Sequence, residues 1–379
     1  MTPMQRWLTL LASALWCAAG CGTAAPEDVA SATSDFSVMD TQGRIIVYAD
    51  TSALCSAARE AAMTRTEAIA ALLNRYDPAS ELSAVNRAAG GPPVPVSRTT
   101  ARAIADAKRL CRLSGGAFNP LVGSLVGLWK RCEAEQRLPT EEEIGSALRV
   151  LNIDDVEVAG LEGAAEGRAT CRLARTGMQL DLGGMAKGWA AQEAMAKIRR
   201  CRGVRAALVN LGGDGVCWSE GDRGADGAET AAAGGSWRRP WRFGVQDPRS
   251  AGRRVLLPLE VAGAAAVVTS GNYYRYWEIG GRRYSHILDP RTGQPVDSAV
   301  VSATVIHPDG GTADALATAC MVLGVRDAMA LLERLPGAEG LILEASEGGL
   351  RPHPTAGFAR YGRVKNLDSG PVSEGEVLP

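Results

Sequence analysis

Short β-branched runs, helical segments placed irregularly among them and a glycine-centred hairpin predict an α+β fold, one large unit of mixed sheets packed with helices. Strand-like runs follow one another between residues 241 and 288 with no helix between them, so the βαβ alternation of a parallel sheet is absent.

In chain order, residues 39–50 read as a first strand around Ile45-Ile46-Val47. Residues 51–73 carry Leu54, Ala58, Ala62, Ile69 and Leu73 at helical spacing. Residues 74–96, rich in Pro, Gly, Asn and Ser, read as a loop. Ser97 is placed to cap a second helix through Ala103, Ala107 and Leu110, stopped at Gly115-Gly116. Thr140-Glu141-Glu142-Glu143 spells a capping box for a short helix ending at Leu148. Residues 178–182 look like a buried strand that turns at Gly183-Gly184 into a helix over 185–200. Residues 204–211 form a strand ending in Gly212-Gly213-Asp214. Strands follow at 241–246, 255–261 and 265–269, and 274–279 pairs with 282–288 across Gly280-Gly281. Residues 299–306 read as a strand, 312–323 and 325–335 as helices, and 341–344 as a last strand.

Composition limits the function classes. Lys plus Arg number 41 and Asp plus Glu 42 in 379 residues, a net charge of -1 that argues against a nucleic-acid partner. Arg6 followed by an uncharged run from Trp7 to Gly20 reads as a signal peptide over 1–20. Ala18-Ala19-Gly20-Cys21 resembles a bacterial lipobox, which makes Cys21 the expected lipidation site, although Ala18 stands where Leu is usual and an ordinary Ala-x-Ala cleavage is the alternative. Residues 21–37 are expected to tether the anchor to a catalytic domain over 38–366. Residues 220–236 read as a disordered insertion and 367–379 as a tail. Exported, membrane-anchored and facing away from the cytoplasm is the localisation this implies. Seven cysteines remain beyond Cys21 and none forms a C-x-x-C pair, so buried thiols with one or two disulfides are expected rather than a zinc site.

Five segments carry chemistry-bearing residues, and each also has a plain structural reading. Gly115 to Pro120 is a helix stop and an Asn-Pro turn, or a loop that lets backbone approach a ligand beside Phe118. Asp181 to Gly188 is a strand–Gly–helix junction whose N-terminal amides suit a phosphate, with Lys187 in the first turn where it opposes the helix dipole. Gly212-Gly213-Asp214-Gly215 is a tight turn or a backbone that hugs a ligand. Thr269 to Tyr273 and Ser285 to Gly293 place hydroxyls and His286 around a hairpin. Asp314 and Thr318, four apart, share a helix face and supply the carboxylate and hydroxyl oxygens a hard cation takes.

Together and in this order, the five resemble the bacterial FAD:protein FMN transferases, the ApbE family of flavin-modifying lipoproteins, over about three quarters of the chain. The most specific parts are Thr269-Ser270-Gly271, the block from Ser285 to Gly293, and Thr312 to Thr318. The resemblance implies an ApbE-like fold and Mg²⁺-dependent transfer of the FMN moiety of FAD to a Ser or Thr hydroxyl of a target protein, releasing AMP. It implies FAD contacts at Met39, Tyr76, Ala117, Phe118, Asn119, Lys187 and His286. It implies Mg²⁺ ligation by the Gly184 carbonyl, Asp314 and Thr318. Asp314 and His286 are the expected catalytic residues; His286, at an ordinary pKa of about 6.5, is the best-matched base for the acceptor hydroxyl. The expected partners are FAD, a flavin-acceptor protein that is a membrane or exported redox protein, and the membrane itself through the lipid. Two positions depart from the family pattern: Asp40 replaces Gly and Asn119 replaces Asp. A lipid-tethered FAD carrier and an FAD pyrophosphatase giving FMN and AMP are the alternative activities.

Overall fold

The computed structural model describes residues 29–162, 169–220, 240–250, 254–272, 276–347 and 349–364. The expected signal peptide, Cys21 and the 367–379 tail lie outside them, as does the 220–236 insertion apart from Glu220.

An eight-stranded antiparallel sheet forms the centre, in the order β1-β2-β6-β7-β10-β13-β14-β15. Its strands are β1 (Ala30–Val38), β2 (Thr41–Ala49), β6 (Val204–Leu211), β7 (Asp214–Ser219), β10 (Ala265–Gly271), β13 (Val300–His307), β14 (Glu339–Ser346) and β15 (Gly349–Pro354). The strand period of two sends alternate residues to opposite faces, and here both faces are buried. Ile45, Val47, Val209, Val268 and Ile342 enter the main core under the helices. Their neighbours Ile46, Leu208, Val267, Leu341 and Leu343 enter a second core on the other face. That second core is closed by the hairpin of β8 (Trp241–Gln246) and β9 (Val255–Val261) and by Phe358.

Helices α1 (Ser52–Leu73), α6 (Ala186–Ile198) and α7 (Gly310–Glu333) cover the main face. Thr51 caps α1 through the Leu54 amide, and Asp309 caps α7 through the Thr312 amide at 2.7 Å. The two predicted C-terminal helices are one run interrupted at Gly324, whose φ of 77° only glycine adopts readily. Helix α7 is long and apolar enough to cross a membrane, but here it is a core helix with Ala313 to Ala317 and Ala319 to Val322 buried.

Helix α3 (Arg98–Leu113) starts at Ser97 as expected, and α5 (Glu141–Leu148) has its capping box, with Thr140 and Glu143 satisfying one another's amides. Beside α3 lies a three-stranded sheet in the order β3-β5-β4: Val94–Val96, Ala169–Leu173 and Val156–Ala159. The hairpin of β11 (Tyr276–Ile279) and β12 (Arg282–Ser285) turns at Gly280-Gly281 and rests on α4 (Gly123–Ala134). There Gln136 and Glu133 hold the backbone of Glu278, and the Trp129 indole donates to the Gly293 carbonyl at 2.9 Å.

Several expectations are corrected. The tether does not reach residue 37: from Ala30 the chain is already the edge strand β1, in register with β2 from Ala30↔Ala49 to Val38↔Thr41. Small polar residues alternate there with Ala32 and Phe36, so the period of two is carried by weak hydrophobes. The loop over 74–96 contains α2 (Glu81–Arg87), capped by Ser80, as well as β3. Residues 178–182 are extended but join no ladder. Leu180 instead exchanges both backbone hydrogen bonds with the Asn86 side chain, and the Asp181 amide donates to the Pro120 carbonyl. No disulfide forms among the described cysteines: Cys55, Cys111, Cys132, Cys171, Cys201, Cys217 and Cys320 are free thiols, all but Cys201 buried.

Helices α6 and α7 meet backbone to backbone at Gly188 and Gly310. A Cβ on Gly188 would lie 2.2 Å from the Gly310 carbonyl oxygen, and one on Gly310 would lie 2.4 Å from that of Gly188. Gly188→Ala should therefore force the helices apart and destabilise the protein by about 1–3 kcal/mol, read as a lower midpoint in urea unfolding. An unchanged midpoint would mean that the helices are free to separate without loss.

Candidate active site

The junction predicted at Gly183-Gly184 delivers α6 to the flank of α7, and α7 presents Gly310, Asp314 and Thr318 four residues apart on the facing side. Met185, at the N-cap of α6, has no capping side chain. Asp314 does that work from the neighbouring helix: its Oδ2 accepts from the Gly188 amide at 2.9 Å. One turn on, the Thr318 hydroxyl donates to the Gly184 carbonyl at 3.2 Å and lies 3.5 Å from the Ser270 hydroxyl. A Cβ on Gly184 would press on Thr318 and Phe118 at 3.2 and 3.3 Å, so a larger residue would have to push these neighbours back by a few tenths of an ångström. The structure thus brings Gly184, Asp314 and Thr318 together. Carboxylate, hydroxyl and carbonyl oxygens are the donors taken by a hard cation such as Mg²⁺. Asp314 is 2% exposed, and among the described residues its Oδ1 receives no hydrogen bond. A carboxylate oxygen left over in this way fits a cation.

Lys187, also in the first turn of α6, ion-pairs with the buried Asp214, and its Nζ is 3.9 Å from Asp314 Oδ2. Asp214 opens β7 directly after Gly212 and Gly213, whose φ values of 67° and 99° make the turn. Burial pushes the Asp214 carboxyl above its ordinary range, with the Lys187 ammonium pulling it back and Asp314 adding to the rise. In the sequence the glycines around Asp214 stand out, and Asp214 itself carries no assigned role. A lone acidic residue flanked by glycines at a strand end was the available signal. The α6 amides are less open to a ligand than the junction suggested, since Ala186 donates to Leu182 and Gly188 to Asp314.

Around this centre stand the other predicted residues. Gly115 and Gly116, with φ of 62° and 85°, end α3 and turn the chain so that Ala117 and Phe118 are buried against the core. Asn119 uses both ends of its side chain on the scaffold: Oδ1 accepts from Leu121 at 2.9 Å and Nδ2 donates to the Leu151 carbonyl at 3.0 Å. Tyr76 is 61% exposed, with the Lys130 ammonium 5.0 Å and the Arg75 guanidinium 5.3 Å from its ring centre. Arg75 in turn pairs with Asp181 at 2.7 Å and donates to the Gly123 carbonyl, which ties the Tyr76 loop to the Gly183-Gly184 junction. Met39 and Asp40 form the β1–β2 turn, both at positive φ (51° and 55°). The neighbouring Thr41 hydroxyl lies so close to Gly212 that a Cβ there would sit 2.6 Å from it. The loop at Met39 is thereby placed near the Asp214 turn. Asp40 occupies a conformation that glycine adopts with less strain. His286 is half-buried and leaves the end of β12, where the Ile287 amide bonds Ser285; none of the contacts above joins it to the α6–α7 centre.

An α+β fold that directs a helix N-terminus, an ammonium and three hard oxygen donors to one glycine-rich junction defines a protein whose site suits an anionic ligand held with a cation. A sequence model of the ApbE family matches residues 39–342. The chain belongs to the ApbE family. It is 37% identical over 302 residues to the FAD:protein FMN transferase of Treponema pallidum, covering 79% of each chain. It is 29% identical over 278 residues to that of Escherichia coli K12, covering 73% of this chain and 74% of the relative. The crystal structure of the ApbE protein from Thermotoga maritima superposes with a TM-score of 0.70 at 30% identity, covering 88% of this chain and all of that one. The flavin transferase ApbE of Vibrio cholerae superposes at 0.69 with 26% identity, covering 88% of this chain and 99% of that one.

Asn119 has a scaffold reason to differ from the Asp expected there. An ionised Asp would keep the bond from Leu121 but face the Leu151 carbonyl with no proton to give. Asn119→Asp should lower stability by about 1–3 kcal/mol at neutral pH and recover part of it on acidification, when the carboxyl can donate. Urea unfolding at two pH values measures this, and equal stability at both would contradict it.

Proposed function

We propose that the chain is an FAD:protein FMN transferase that moves the FMN moiety of FAD onto a Ser or Thr hydroxyl of an acceptor protein and releases AMP. The observation that carries this reading is the meeting of the Gly184 carbonyl, the Thr318 hydroxyl and the half-used Asp314 carboxylate at the start of α6. In this reading those three would hold Mg²⁺, which would supply Lewis-acid neutralisation of charge on the pyrophosphate oxygens. Phosphoryl-type transfer depends mainly on positioning and electrostatics, and the residues of the chain divide that work. Phe118 and Ala117 wall the flavin end, with Tyr76 and Met39 at its margins and the backbone at Asn119 beside them. Lys187 adds an ammonium near the phosphates. His286 takes the proton from the acceptor hydroxyl as its oxygen bonds to the FMN phosphorus. The bond from that phosphorus to the AMP oxygen breaks, and AMP leaves with the electron pair.

The acceptor is in this reading a membrane or exported redox protein, and the enzyme reaches it from a lipid anchor on Cys21 after removal of residues 1–20. The lipobox-like Ala18-Ala19-Gly20-Cys21 run supports this. Cys21→Ser should then move the protein from the membrane to the soluble fraction with its activity intact. A wild-type protein recovered soluble, with an N-terminus other than Cys21, would refute the anchor.

Incubation with FAD, Mg²⁺ and a candidate acceptor separates the activities: FMN on protein, free FMN with AMP, or unchanged FAD. Asp314→Ala should abolish transfer, and EDTA should reproduce that loss in the wild type, reversibly with Mg²⁺. Thr318→Ala should be milder, because water replaces a neutral ligand. His286→Ala should slow transfer by about 10²–10⁴-fold with little change in the thermal melt. Wild-type turnover by Asp314→Ala after EDTA treatment would remove the metal from the mechanism.

A further inference from the structure

We propose that Asp214 is a positioning residue that holds the Lys187 ammonium off Asp314, leaving the Asp314 carboxylate its negative charge for a divalent cation. The inference rests on the metal reading above and concerns how this chain keeps that site open.

Lys187 lies between two nearly buried carboxylates, each 2% exposed, and is bound to one of them. Its Nζ touches Asp214 and stops 3.9 Å from Asp314 Oδ2. The groups differ in mobility. Asp214 is fixed at the turn end of a central strand, its backbone paired with Leu211 across β6–β7 directly after the positive-φ glycine turn. Asp314 is fixed by the Gly188 amide. Lys187 is a point charge on a flexible four-carbon stem, so the stronger acceptor decides where it rests.

With both acids ionised, two carboxylates and one ammonium leave the cluster one negative charge. With the ammonium on Asp214, that charge resides on Asp314, whose Oδ1 is without a hydrogen bond among the described residues. Without Asp214 the same ammonium has Asp314 as the other buried carboxylate within reach, and lysine and cation would compete for it. Lys187 opposes the dipole of α6 at its position in the first turn, so an acidic partner also offsets that cost.

The test is Mn²⁺ titration by calorimetry on the metal-stripped full chain without FAD. Asp214→Asn should weaken Mn²⁺ binding about tenfold or more. The double variant Asp214→Asn/Lys187→Met should return to the wild-type affinity, because the competing ammonium is gone. Lys187→Met alone should bind Mn²⁺ at least as tightly as wild type, and it decides the matter if Asp214→Asn does not fold. Wild-type affinity in Asp214→Asn overturns the proposal, as does weakened binding in Lys187→Met. A double variant as weak as the single one overturns it too, since Asp214 would then itself be a ligand. A wild type that binds no Mn²⁺ refutes the metal reading, an outcome distinct from the other three.

Discussion

The contact on which the site depends is backbone against backbone, where α6 and α7 touch at Gly188 and Gly310. It sets the helix separation more tightly than any side-chain packing could, and α7 then repeats the encounter every four residues. Gly310 meets Gly188, Asp314 meets the Gly188 amide, and Thr318 meets the Gly184 carbonyl. A carboxylate that caps another helix in this way uses one oxygen for a stabilising interaction and leaves the other open to a further partner. The price is a carboxylate nearly out of water, tolerable because an amide and an ammonium stand beside it.

The sheet provides the second fixed reference. Because Ile46, Leu208, Val267 and Leu341 have their own core on the face away from the helices, the sheet is clamped on both sides rather than resting against one layer. Strands β7 and β10 enter the site from it, bringing Asp214 and Ser270. The groups of the site therefore come from two stiff bodies, a helix pair and a sheet, with the loops at Tyr76 and Phe118 laid over their junction. Arg75 pins one of these loops and Asn119 the other, each through bonds to backbone carbonyls.

Much of this was legible in the sequence, and for local reasons. Capping residues marked the starts of α3 and α5, apolar spacing marked α1, and the glycine pairs at 115–116, 212–213 and 280–281 all take positive φ in turns. The Asp314–Thr318 pair could be placed on one helix face by spacing alone. The remainder depends on partners distant in sequence. Residues 178–182 have the apolar content of a strand, yet their backbone is satisfied by Asn86 and Pro120, which no periodicity reveals. Helix α2 is one short segment inside a turn-rich composition, and β1 owes its strand to pairing with β2. Asp214 looked like a turn residue because its lysine partner is 27 positions away in the sequence.

The seven free thiols have a practical consequence. Burial raises Cys111, Cys171 and Cys320 to about 12, and Cys55 and Cys132 in the same direction. At neutral pH a thiol near 12 is ionised in only about one molecule in 10⁵, and the thiolate is the form that reacts with alkylating reagents. Cys201, three residues past the end of α6, is the one described cysteine that is not buried. A maleimide dye applied to the folded domain would therefore attach at that position in preference to the other six. It offers a native handle for following distances to the α6–α7 junction without an engineered cysteine.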